Sequence, residues 1–124
     1  MPDILLVDDD DNFRTMLRDL LKKLGHTVRE ARDGGEALEL YAKKRSDLVL
    51  TDIVMPPPEG LETIYRLRHD DPKCRIIAMS GGGRLNATDY LKIAQMSGAN
   101  RILHKPFSKD ELALAISQAM ALTL

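Results

Sequence analysis

The chain of 124 residues holds one cysteine, no tryptophan, and aromatic residues at only 4% of the sequence. A lone Cys74 cannot close an internal disulfide, so the expected setting is reducing, soluble and cytoplasmic. Excess charge is missing too. Lys plus Arg number 18 against 19 acids, a net charge of −1, which leaves no electrostatic footprint for direct nucleic-acid binding or for an anionic membrane surface. No apolar run approaches the length needed to cross a bilayer, and Met1-Pro2-Asp3 has neither the basic start nor the apolar stretch of a signal peptide. Linkers, repeats and low-complexity segments are lacking as well. A single domain over residues 1–124 is expected, burying about two thirds of its unfolded surface.

What is present is short apolar runs that end in acids. Ile4-Leu5-Leu6-Val7 breaks into Asp8-Asp9-Asp10-Asp11, and Leu48-Val49-Leu50 stops at Thr51-Asp52. Unbroken runs of this length suit strands covered on both faces, the mark of a parallel sheet. Phe13, Met16, Leu17, Leu20, Leu21 and Leu24 then recur at helical spacing up to Gly25, a residue free to take positive φ at a helix end. His26–Ala31 is more polar, as an edge strand would be. Asp33 with Glu36 caps a second helix whose buried side is Ala37, Leu38, Tyr41 and Ala42. Beyond Pro56-Pro57-Pro58, Leu61, Ile64, Tyr65 and Leu67 mark a third helix. Arg75–Met79 reads as a fourth strand closing at Ser80-Gly81-Gly82-Gly83. Leu91, Ile93, Ala94 and Met96 mark a fourth helix, and Ile102-Leu103 a fifth strand before His104-Lys105-Pro106-Phe107. A last helix is capped by Ser108 with Glu111 and buries Leu112, Ile116 and Ala119.

Five strands alternating with five helices predict an α/β, flavodoxin-like, doubly wound five-stranded parallel sheet of order 2-1-3-4-5, with right-handed crossovers. On that topology Asp8, Asp9, Asp52, Ser80 and Lys105 meet at one rim, at the carboxyl ends of their strands. Two carboxylates about 4 Å apart repel by roughly 4 kcal/mol at an effective dielectric near 20, so three gathered together need cations. Lys105 supplies one charge, and a hard divalent ion, Mg²⁺, suits the oxygen donors better than zinc would. Asp52, held in line beside such an ion, a lysine and a hydroxyl, is equipped to attack phosphorus and form an aspartyl phosphate.

Val7-Asp8-Asp9, Thr51-Asp52-Ile53-Val54-Met55-Pro56, Ser80 and Lys105-Pro106-Phe107, at these separations, resemble the signature of response-regulator receiver domains of bacterial two-component systems, of the stand-alone, chemotaxis-regulator type. The likeness spans almost the whole chain. It implies that Asp9, Asp52 and the Val54 backbone carbonyl bind Mg²⁺ directly, with Asp8 acting chiefly through water. It implies that Asp52 is the phosphoacceptor, that Lys105 contacts the phosphoryl group and has a usually cis peptide bond to Pro106, and that Ser80 moves to a phosphoryl oxygen on activation. The donor would be a phosphohistidine on a sensor histidine kinase or a phosphotransfer protein, and the chain would catalyse only its own phosphorylation and dephosphorylation. Its downstream protein target would be met through the fourth helix, fifth strand and fifth helix, by a monomer or weak homodimer, with no output domain attached.

Three positions depart from the family pattern. Ile102 stands where an aromatic residue is common, which argues against a ring that turns inward on activation. Val54 and Gly82 stand where polar side chains orient water for hydrolysis, so a long-lived acyl phosphate is expected. Met55-Pro56-Pro57-Pro58-Glu59 is unusually rich in proline and should be stiff.

Blander readings stand beside these. Asp10 and Asp11 read as capping or surface residues, His26, His69 and His104 as surface, and Met16, Met79 and Met96 as core filler. A haloacid-dehalogenase-like Mg²⁺-dependent phosphatase also uses a strand-end Asp nucleophile, but wants an acid where this chain has Val54. A flavodoxin-like FMN binder would place phosphate after the first strand, where four carboxylates would repel it. A receiver whose site goes unphosphorylated, acting purely as a binding module, remains the third alternative.

Overall fold

The computed structural model describes residues 2–53, 59–80, 92 and 98–124. Five strands, β1 (Asp3–Val7), β2 (Thr27–Ala31), β3 (Leu48–Asp52), β4 (Ile76–Ser80) and β5 (Arg101–His104), pair in parallel in the order β2-β1-β3-β4-β5. Four helices lie among the described residues: α1 (Asp11–Lys23), α2 (Gly34–Lys43), α3 (Glu59–Asp70) and α4 (Lys109–Met120). Of the helix expected over Leu91–Met96 only Lys92, which is helical, lies among them, and Val54, the proline triplet and Gly81-Gly82-Gly83 fall outside. Strand order is thus the one expected, and the polar β2 is an edge.

Side chains along each strand alternate between two apolar layers, as the period of a strand requires. Leu5, Val7, Val49, Ile76 and Ala78 face α2 and α3, joined by Ala37, Tyr41, Ile64 and Leu67. Ile4, Leu6, Leu50, Ile77 and Met79 face α1 and α4, where Leu17, Leu21, Leu112 and Ile116 meet them. Residues 4–7 and 48–50 are 0–1% exposed, which accounts for their unbroken apolar runs. Each such side chain contributes about 1.5–3 kcal/mol by burial.

The helix ends follow the sequence closely. Asp10 Oδ1 accepts from the Asn12 and Phe13 amides, Asp33 Oδ1 from the Glu36 amide, and Ser108 with Glu111 forms a reciprocal capping box. Gly25 takes φ +97°, ending α1. The helix faces follow less closely. Met16 is 58% and Tyr65 61% exposed, and Ala42 is also exposed, so Met16 is not core filler and Ala42 does not line the buried side of α2. A run of apolar residues on α1 is wider than the stripe its sheet can cover.

Arg68 on α3 makes a tie the sequence did not announce. Its guanidinium donates to the Gly98 and Pro72 carbonyls and to Asn100 Oδ1, which also accepts the Ile76 amide. Gly98 has φ +116°, and a Cβ there would meet the Arg68 side chain at 3.0 Å. The start of β4, the end of α3 and the approach to β5 are thereby joined.

Candidate functional site

The rim is assembled by strand ends. Asp8 follows β1 directly, and its amide donates to the Ala31 carbonyl at 3.1 Å, extending the pairing with β2 by one bond. Its Oδ1 accepts the Asp10 amide at 2.9 Å, so this carboxylate is fully buried and turned into the turn rather than out to water. Asp10 is committed to capping α1. Asp9, between them, is the exposed member of the group. Asp52 ends β3 and is 5% exposed, and Ser80 ends β4 with no exposure. Lys105 comes just after β5, where its amide donates to the Ser80 carbonyl at 2.7 Å.

Those placements bring together four of the residues singled out from the sequence. Lys105 Nζ donates to Asp8 Oδ2 at 3.1 Å and to Asp52 Oδ2 at 3.2 Å. Carboxylate oxygens of Asp8, Asp9 and Asp52 all lie within 4.8 Å of one another. Three acids and one ammonium leave an uncompensated negative charge at a partly buried rim, which a cation would offset. The donors are oxygens only, the set that hard cations such as Mg²⁺ prefer. The residues present therefore fit a divalent ion, which Asp8, Asp9 and Asp52 could hold. Ser80 Oγ is buried and has no hydrogen-bond partner among the described residues. A buried hydroxyl left so costs about 1–3 kcal/mol, and it is a natural seat for an arriving acceptor oxygen. The Val54 carbonyl expected to complete the ligands lies outside the described residues.

Lys105 also meets an aromatic ring. Its Nζ stands 4.0 Å from the centroid of the Phe13 ring, and Phe13 meets Phe107 edge to face at 6.2 Å between centroids. A cation over a ring face gains about 0.5–2 kcal/mol. The Lys105–Pro106 peptide is cis, as the resemblance implied. His104 is exposed.

Two contributors escaped the sequence reading. Phe13 reads from the sequence as part of the apolar repeat of α1; it does pack against the core, and its ring also seats Lys105. Arg14 was passed over as a polar position of α1, yet it is only 8% exposed and donates to the Asp8 carbonyl. Its only signal was a cation three residues after a run of four acids. The residue after Asp52 rests against a close backbone contact. A Cβ on Gly60 of α3 would stand 2.8 Å from the Ile53 Cα and carbonyl oxygen, and the Ile53 amide donates to the Met79 carbonyl at 3.0 Å.

The family model for the response regulator receiver domain matches residues 4–117. Chemotaxis protein CheY of Halobacterium salinarum is 35% identical over 117 residues, covering 94% of this chain and 95% of its own. Sporulation initiation phosphotransferase F of Bacillus subtilis is 34% identical over 119 residues, covering 96% and 94%. The crystal structure of the receiver domain of NtrX from Brucella abortus superposes with a TM-score of 0.89 at 28% identity, covering 98% of this chain and 100% of that one.

Proposed function

The chain belongs to the response-regulator receiver family, whose members are phosphorylation-activated signalling switches, and from that premise we propose that Asp52 is the acceptor, with Lys105 and Ser80 acting on the transferred group. Asp8, Asp9 and Asp52 would hold Mg²⁺, and the Val54 carbonyl is the further ligand that the family resemblance implies. The observation that carries this reading is the Lys105 ammonium lying between two buried strand-end carboxylates, with Asp9 beside them.

In the reaction an Asp52 oxygen attacks the phosphorus of a phosphohistidine on a sensor kinase or phosphotransfer protein. The P–N bond breaks, and its electron pair leaves with the imidazole. Lys105 neutralises part of the charge on the equatorial oxygens, and a Mg²⁺ ion, when bound, would supply further neutralisation. Asp52 then carries about two negative charges where it carried one. Lys105 is drawn from its contact with the carboxylate toward the new oxygens, and Ser80 Oγ gains a partner. The β4 end moves with it, and the signal passes to a downstream protein by contact at the surface near β5 and α4. Val54 in place of a polar residue favours a slow return to the unphosphorylated state.

Incubating the protein with Mg²⁺ and a small phosphodonor should add one phosphoryl group by mass, and Asp52→Asn should abolish it. Uptake that survives that substitution would remove the assignment. A phosphatase is disfavoured because Val54 cannot act as acid and base; no turnover of small phosphate esters is expected.

A further inference from the structure

The acid that faces solvent at the rim is the one with the least to aim it. Asp8 is anchored through its amide, its carboxylate and Lys105, and Asp52 lies within a strand. Asp9 is exposed and its carboxylate makes no hydrogen bond among the described residues, so its direction depends on the backbone that carries it. The peptide entering Asp9 is a rigid plane whose carbonyl is that of Asp8. That oxygen accepts from Arg14 Nη1 at 2.8 Å.

Arg14 is itself fixed at every nitrogen. Its Nε donates to Glu30 Oε1 at 3.1 Å, and Nη2 to Asp11 Oδ1 at 2.6 Å. Glu30 sits on β2 and accepts a second guanidinium, that of Arg18, through Oε2 at 3.1 Å. The fork thus spans the β1–α1 turn, the first turn of α1 and the edge strand. We infer that Arg14 is a positioning residue for the metal site, holding the Asp8–Asp9 peptide so that the Asp9 carboxylate points at the ion shared with Asp8 and Asp52. This rests on the Mg²⁺ reading above and names a residue that reading does not use.

Charge and position make opposite demands, which gives a sharp test. A guanidinium beside a divalent ion repels it, so deleting the charge alone would tighten Mg²⁺ binding. Losing the fork would loosen it, and partners that orient metal ligands are typically worth about tenfold or more in affinity. Titrating Mg²⁺ into the purified protein by calorimetry, with denaturant midpoints recorded alongside, separates the two. Asp9→Asn should abolish most of the binding. Arg14→Gln, which removes the charge, and Arg14→Lys, which keeps it but cannot reproduce the fork, should both weaken binding by about tenfold. A merely structural role would lower the denaturant midpoint and leave the affinity of the folded protein alone. If Arg14→Gln does not fold, Arg14→Lys decides. Tighter binding by Arg14→Gln, or wild-type affinity in Arg14→Lys, overturns the inference and leaves the acidic site standing. No Mg²⁺ binding by the wild-type protein, or none lost in Asp9→Asn, overturns both.

Discussion

At the scale of single residues, the site depends on atoms that are absent as much as on those present. Gly60 lets the first turn of α3 touch the backbone of Ile53, one residue past Asp52. A Cβ at 2.8 Å from that backbone has nowhere to go, so Gly60→Ala should cost about 1–3 kcal/mol and slow phosphoryl uptake by displacing the end of β3. Equal denaturant midpoints for variant and wild type would show that the contact relaxes at no cost. The acids and the lysine were legible because charge at the end of a buried run has no packing explanation. Gly60, Phe13 and Arg14 were not. Helical periodicity sorts α1 into apolar and polar positions, and it cannot say that a ring will seat an ammonium or that a polar position will be folded under the turn.

At the scale of elements, polar ties placed between helices and strands govern how the units hold together. Tyr41 of α2 donates its hydroxyl to Asp71 Oδ2 at 2.6 Å in the buried seam with α3, beside a cavity of about 210 Å³ lined in part by Leu38, Arg45 and Leu67. Burial alone would raise the Asp71 carboxyl. The Tyr41 hydroxyl, the Lys73 amide and the Arg45 and Arg68 guanidiniums outweigh it and hold the group below its ordinary value of 3.8. A depressed carboxyl contributes stability above its unfolded pKa, and that contribution is lost as pH falls from about 3.8 through the lowered folded value. Tyr41→Phe should therefore cost about 1–3 kcal/mol at neutral pH and shrink the acid-side loss, read from urea midpoints across pH. An unchanged acid limb would show that Asp71 gains little from the hydroxyl. Arg75 at the approach to β4 plays a comparable part, donating to the Ala119 and Leu122 carbonyls at the end of α4. That helix has no basic residue in its own last turn, so a distant side chain satisfies carbonyls that a local one usually does. Caps drawn from neighbouring sequence were readable at Asp10, Asp33 and Ser108. A cap drawn from another element leaves no local pattern.

At the scale of the whole molecule, alternation of runs gave strand order, and strand order placed the site. The β1 and β3 ends are adjacent because the chain reverses direction of winding between them, which is where open α/β sheets hold their ligands. Gathering like charges at that point opposes folding. Asp9→Asn should raise the thermal midpoint by about 3 °C without divalent ion, while Mg²⁺ at a hundredfold its dissociation constant should return about 2.7 kcal/mol to the wild type and little to the variant. Scanning calorimetry with Mg²⁺ and with a chelator reads both. A variant less stable than wild type in chelator would mean that the carboxylates do not repel.

The sheet also works as a partition. Apolar side chains of β1, β3 and β4 divide between two layers that lie on opposite faces, and the charged rim sits at the edge where both layers end. Recharging that rim disturbs neither interior directly, so the outer surfaces of α1 and α4 can diverge to suit new protein contacts while the apolar faces of α2 and α3 stay as they are. Many different conversations can in this way be run from one unchanging frame.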